Sequence, residues 1–275
     1  MAARVWLITG CSSGFGLELV RAAAARGDVV VATMRNPSGF VMPEGMAGSV
    51  SVMAMDVTDE AQVKSVVDEV VRECGRIDVL VNNAGYGLIG SLEECSTEQI
   101  RRNIETNLMG PIHTMRAVLP VMRAQKSGHI INMSAAAAIE NYAGFSVYGG
   151  AKYGLEGVSE SVAAEVKPFG VRVMLVQPGP FRTDFIARSM DRAAGTIAEY
   201  QPTVGKFAAF LDGVNGKQPG DPAKAAALIV SLVDHERPPL RLALGKYAIG
   251  KVRRKQASVL RELEAWEAQG AATEF

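Results

Sequence analysis

RVWLITGCSSGFG, residues 4–16, joins an apolar β-rich run directly to a glycine-rich turn and then to an amphipathic segment. Gly10, Gly14 and Gly16 stand between a strand and a helix expected from about Phe15 to Arg26. A helix N-terminus offers unpaired N–H groups and positive partial charge, and glycines let a pyrophosphate approach the backbone. Ser12 and Ser13 can add hydroxyl donors. The spacing is GxxxGxG rather than the GxGxxG dinucleotide fingerprint. By itself it also describes a tight strand-to-helix turn, so the flanking sequence must decide.

Outward from this turn, short runs rich in Val, Ile and Leu alternate with longer amphipathic segments. The runs are VVVATM (29–34), SVMAM (51–55), DVLV (78–81), HIINM (129–133) and VRVMLV (171–176). Helices are expected near Glu60 to Cys74, in a long stretch ending at Arg123, and from about Tyr148 to Pro168. Continuous apolar strands separated by helices predict a parallel sheet covered on both faces. The class is therefore α/β, a Rossmann-like doubly wound sheet, read as one domain over residues 1–275. From about 184 to 220 the rhythm breaks. Gly195, Pro202, Gly205, Gly213, Gly216 and Pro219 punctuate pieces such as KFAAFL, which predicts a substrate lid. From about Lys246 to Gln269, Val252, Val259, Leu260, Leu263 and Trp266 recur among alternating charges, predicting a closing helix packed on the core.

The chain has 275 residues, 48% of them hydrophobic, enough for a sizeable core. Lys plus Arg equals Asp plus Glu at 29 each, so no net field steers nucleic acid or an anionic membrane. Cys11, Cys74 and Cys95 lack CxxC spacing and the 3 histidines form no ligand motif. Reduced thiols and no metal are expected. No apolar run approaches the roughly 18 residues of a membrane span, so a soluble cytoplasmic protein is expected.

A second stretch, SAAAAIENYAGFSVYGGAK (134–152), carries chemistry. Tyr148 and Lys152 lie one helical turn apart, on one face. A free phenol titrates near pH 10, too high for an efficient base, and a neighbouring cation lowers it. The pair therefore suits a general acid/base.

TGCSSGFG, NNAG (82–85), Asn107, Tyr148 with Lys152, and PGPFRT (178–183) follow one another in the order and spacing of the short-chain dehydrogenase/reductase family. The resemblance covers about residues 4–184. TGCSSGFG and NAGYGLIG (83–90) are most similar to its hydroxysteroid and retinol dehydrogenase branch and bacterial relatives. The resemblance implies hydride transfer between a nicotinamide cofactor and a carbonyl or alcohol. It gives Gly10, Ser12, Ser13, Gly14, Phe15 and Gly16 to the phosphates, Asp56 to the adenine amino group and Val57 to its ring. Asn83, Ala84 and Gly85 border the adenine ribose, and Lys152 binds the nicotinamide ribose. Pro178 and Gly179 line the nicotinamide, Thr183 bonds its carboxamide or the phosphates, and Asn107 holds a water leading to Lys152. The second strand ends ATMRNP (32–37), with Thr33 where an acid would select a free 2′-hydroxyl and Arg35 two residues on. A guanidinium there suits a 2′-phosphate, so NADP(H) is favoured over NAD(H).

Family members place a serine about thirteen residues before the tyrosine, a position that is Ala135 here; Ser134 lies one residue earlier. Either the loop bulges and Ser134 reaches the site, or a methyl group fills the slot. Ser134 is taken as the functional residue. Tyr86, Leu88, Tyr142, Phe145, Phe181, Phe185, Ile186, Phe207 and Phe210 predict an apolar pocket for a lipophilic ketone, aldehyde or alcohol. Arg182, Arg188 and Arg192 leave room for an anionic group. The resemblance also implies a homodimer or homotetramer through the helices that begin near Asn107 and Tyr148. The competing reading is a cofactor-bound sensor or scaffold without turnover.

Overall fold

The computed structural model describes residues 3–38, 40–42, 46 and 49–275. The first half of the chain forms β1 (Val5–Thr9), α1 (Gly14–Ala24), β2 (Val29–Met34), β3 (Val50–Ala54), α2 (Glu60–Cys74), β4 (Val79–Asn82), β5 (Gly87–Ile89), α3 (Thr97–Ile104) and α4 (Gly110–Gln125). The second half forms β6 (Gly128–Met133), α5 (Ser146–Val166), β7 (Val171–Pro178), α6 (Phe185–Arg188), β8 (Met190–Arg192), α7 (Lys206–Val214), α8 (Pro222–Ser231), β9 (Arg241–Leu244) and α9 (Gly245–Ala271).

Seven strands make one parallel sheet in the order β3-β2-β1-β4-β6-β7-β9. This is the Rossmann-like α/β sheet expected from the apolar runs. Because strand side chains alternate, Trp6 and Ile8 of β1 face one side and Leu7 the other. The first side packs on Leu19, Val20 and Ala23 of α1 and Ala226, Ile229 and Val230 of α8. The second packs on Val63, Val67 and Val70 of α2, Met115, Val118 and Met122 of α4, and Val166 of α5. Both faces are thus covered by helices, which is why the strands carry no polar alternation.

The strand order reverses between β1 and β4, so a crevice opens at their carboxyl ends, where such sheets bind ligands. The loops that follow the two strands are tied together there. Thr9 Oγ1 accepts the Asn83 and Ala84 backbone N–H groups at 3.0 and 2.9 Å, and Asn83 Nδ2 donates to the Thr9 and Gly10 carbonyls.

The region 184–220, expected as a substrate lid, is built from short elements: β8 pairs in parallel with β5, and a π-helical turn, Gln201–Gly205, leads into α7. α9 forms as expected, but only its first turns rest on the body. Ala248 and Lys251 are buried and Val252 packs on Ala136 and Ile139, whereas Val259, Leu260, Leu263 and Trp266 are exposed. The packed face of the helix continues past the end of the body that covers it.

Candidate active site

A cleft of about 1320 Å³ runs across the carboxyl ends of the central strands. One end is the glycine turn. Gly10 (φ +71°) and Gly14 (φ +56°) occupy the left-handed region that other residues avoid. A Cβ at Gly16 would meet the Gly10 carbonyl oxygen at 2.3 Å, so the α1 backbone closes directly on the turn. Ser13 is the N-cap of α1 and its side chain makes no capping bond, which leaves the first N–H groups and the Ser12 and Ser13 hydroxyls facing the cleft. A Cβ on Gly14 would touch Thr183 at 3.5 Å, and Phe15 lies 5.1 Å from Phe181 between ring centroids, so the loop after β7 closes over this end.

Beside it, Arg35 projects from the end of β2, and Asp56 and Val57 line the cleft after β3. One Asp56 carboxylate oxygen accepts the Thr58 N–H and hydroxyl at 2.9 and 2.8 Å, holding the side chain at the rim. Thr33 is placed differently from the expectation. It is fully buried with its hydroxyl on the Ile8 carbonyl at 3.2 Å, and Met34 is the β2 residue at the cleft. An acid selecting a free 2′-hydroxyl would therefore have to replace Met34, not Thr33.

Tyr148 and Lys152 lie on the inner face of α5, buried as a pair. Lys152 Nζ donates to the Met133 carbonyl at 2.8 Å and stands 6.0 Å from the Tyr148 ring centroid. Burial pushes the Lys152 ammonium down to about 8. Burial raises the Tyr148 phenol above its ordinary range, whereas the sequence predicted a phenol lowered by Lys152.

Asn107 lies in a π-helical turn, Glu105–Met109, between α3 and α4. Its Nδ2 donates to the Tyr86 and Asn103 carbonyls at 2.9 and 3.0 Å, while Oδ1 is buried without a partner among the described residues. A Cβ at Gly85 would fall 2.6 Å from that Oδ1 and 3.4 Å from Lys152 Nζ, so the two groups converge above a residue that must lack a side chain. The extra backbone residue of a π turn re-aims the amide.

Ser134 and Ala135 both line the cleft. The sheet ladder reaches Ser134, whose N–H bonds the Val176 carbonyl at 2.8 Å. Its hydroxyl is buried and has no hydrogen-bond partner among the described residues. Ala135 belongs to the apolar cluster of Tyr148, Phe145 and Ile89. Tyr148 therefore has a methyl group in its immediate cluster, and Ser134 offers an unspent hydroxyl one residue away.

The far wall is aromatic. Phe145 and Phe185 pack at 5.1 and 5.8 Å from the Tyr148 ring, and Phe207 of α7 stacks on Tyr142 at 4.8 Å. Tyr86, Ile186 and Phe210 join this lining. Leu88 does not: it is buried in a separate cluster with Cys95 and Val147.

Met34, Gln218 and Tyr247 at the cleft, and Lys251 behind it, escaped sequence reasoning. Gln218 is buried at the cleft with Oε1 unpaired among the described residues. Tyr142 donates to the Tyr247 hydroxyl at 2.9 Å, and behind them Lys251 Nζ lies 3.3 Å from the Tyr142 ring centroid. These residues meet only through the approach of α9, which no local pattern specifies.

Residues 4–193, which carry the glycine cradle and the Tyr–Lys pair, match a family model described as "short chain dehydrogenase". The chain belongs to the short-chain dehydrogenase family. It is 38% identical over 249 residues to the oxidoreductase BOA17 of Botryotinia fuckeliana, covering 90% of each chain. It is 36% identical to human retinol dehydrogenase 8, covering 87% of this chain and 81% of that one. A short-chain dehydrogenase from Streptomyces avermitilis superposes with a TM-score of 0.92 at 38% identity, covering 100% of both chains. A metagenomic short-chain oxidoreductase solved in complex with NADP gives 0.70 at 27% identity, covering 89% and 97%. The chain is thus an oxidoreductase of this family, and the metagenomic neighbour was solved with NADP. No helix among the described residues is long and apolar enough to cross a membrane.

Proposed function

We propose that the chain interconverts a lipophilic ketone or aldehyde and its alcohol with NADP(H), using Tyr148 as the general acid/base. The observation that carries this reading is the position of Tyr148: a buried phenol at the junction of the aromatic wall and the glycine-lined half of one cleft. The residues present fit a dinucleotide. Gly10, Gly14 and Gly16 make a tight turn that brings the α1 N-terminus to the cleft as a phosphate site, and no acid stands at the end of β2 to repel a 2′-phosphate at Arg35. Ser12, Ser13, Phe15 and Thr183 would frame the phosphates, Asp56 and Val57 the adenine, and Asn83, Ala84 and Gly85 its ribose. Pro178 and Gly179 would face the nicotinamide. Bound there, the nicotinamide supplies or accepts the hydride.

In the reductive direction Tyr148 Oη gives its proton to the substrate oxygen as that oxygen gains charge. Lys152, above Gly85, would hold the ribose and stabilise the resulting phenolate, and Asn107 Oδ1, without a partner among the described residues, would hold a water through which the proton is replaced. Ser134 supplies the second donor to the substrate oxygen, supported by a buried hydroxyl with no other partner. The aromatic wall selects lipophilic substrates, a class consistent with retinol dehydrogenase 8 as a relative. NADPH oxidation over a panel of lipophilic ketones and aldehydes tests the proposal. Tyr148→Phe should lower kcat at least 10³-fold while NADPH still binds. Undiminished turnover in that variant would refute the assignment.

A further inference from the structure

The distal part of α9 carries a stripe with no partner among the described residues of its own chain. Val259, Leu260, Leu263 and Trp266 are 47%, 53%, 58% and 69% exposed. At 3.6 residues per turn, Val259, Leu263 and Trp266 continue the face on which Ala248 and Val252 pack against the body, and Leu260 widens it. Residues 253–271 extend about 28 Å beyond that contact. A helix of this length draws its stability in water mainly from tertiary packing, and here the body offers none.

Charge along the segment indicates what covers it. Arg253 and Lys255 lie toward the body and Glu262, Glu264 and Glu267 toward the tip. None of these five joins an ion pair among the described residues. We propose that the distal half of α9 pairs antiparallel with α9 of a second copy of this chain. A crossing centred near residues 260–261 sets Leu260 beside its equivalent, Val259 against Leu263, and Arg253 against Glu267. Lys255 and Glu262, on the other edge of the stripe, share the same polarity. A parallel pair would set the two edges of the stripe against each other and bring Glu262 of one helix beside Glu267 of the other, which is repulsive. The contact is isologous and closes on itself as a two-fold pair. A lipid surface fits less well, since an interfacial helix needs a basic polar face and this segment holds four basic and three acidic residues.

Sedimentation and oxidative cross-linking of the full-length chain test the pairing. Leu260→Glu with Leu263→Glu should halve the assembly mass seen for the parent chain at micromolar concentration, leaving NADPH-dependent turnover intact. Arg253→Glu alone should weaken association at least tenfold, and adding Glu267→Arg should restore it. In a Cys74→Ser background, Leu260→Cys should give a disulfide-linked dimer. Arg253→Cys mixed with Glu267→Cys should cross-link with each other more than with themselves. Unchanged mass in the double variant, no Leu260→Cys dimer, or self-linking of Arg253→Cys would overturn the proposal. So would sedimentation of the parent chain with phosphatidylserine vesicles that the Leu260→Glu, Leu263→Glu variant fails to follow, without any difference in mass.

Discussion

Tyr148 and Lys152 were legible from four-residue spacing, but the effect of burial on them was not. The sequence pointed to a phenol lowered by a cation, whereas Lys152 bonds the Met133 carbonyl and burial raises the phenol. The serine question also belongs to single residues. Ser134→Ala should lower kcat/KM by about 10²-fold to 10³-fold, the usual cost of losing one oxyanion donor, with NADPH affinity unchanged. The reverse pattern, little loss in Ser134→Ala and a large gain in Ala135→Ser, would show that the methyl group beside Tyr148 fills the donor slot. Cofactor choice rests on Arg35. A charge-assisted bond contributes about 1.5–3 kcal/mol, so Arg35→Ala should raise the KM for NADPH roughly tenfold to a hundredfold and leave that for NADH nearly unchanged. Equal effects on both cofactors would remove Arg35 from 2′-phosphate recognition.

Among elements, the glycine turn shows how a short pattern acquires meaning from packing. GxxxGxG alone describes many turns. In the fold Gly16 has no room for a methyl group, because a Cβ would lie 2.3 Å from the Gly10 oxygen and 2.6 Å from Asn83 Nδ2. Gly16→Ala should therefore weaken NADPH binding strongly and cost about 1–3 kcal/mol of stability by overpacking, seen as a lower Tm. A variant with parent-like KM and Tm would contradict this account. The π-helical turn bearing Asn107 and the β5–β8 pair left no readable signal. Each depends on a few residues meeting a distant segment: Asn107 meets Tyr86 in the loop before β5, and Gly87 meets Met190.

For the whole molecule, two buried ammonium groups make stability depend on pH. Burial lowers Lys251 from 10.5 to about 8, an effect offset in part by Glu140 and reinforced by Arg254. Lys152 is lowered likewise to about 8. Between the folded value and the unfolded one the unfolded chain binds more protons, so stability rises as pH climbs from about 8 to 10 and is lowest, for these groups, below 8. The Cys11 thiol, raised by burial from 9.0 to about 12, works the other way above pH 9, so the lysine contribution is read by difference: Lys251→Met should lower the slope of Tm against pH between 8 and 10 relative to the parent chain, sparing the part due to Lys152. An identical slope in the variant would show that Lys251 is not buried as a charge. By itself the sequence determined the doubly wound sheet, the glycine cradle and the Tyr–Lys pair, because strand runs, turn glycines and helical spacing are local constraints. Only the tertiary structure decided that Thr33 turns inward while Met34 meets the cleft, that Ser134 keeps an unspent hydroxyl beside a methyl-lined slot, and that α9 outruns the body. Those outcomes depend on which distant surface arrives next to a residue, and no local pattern encodes that.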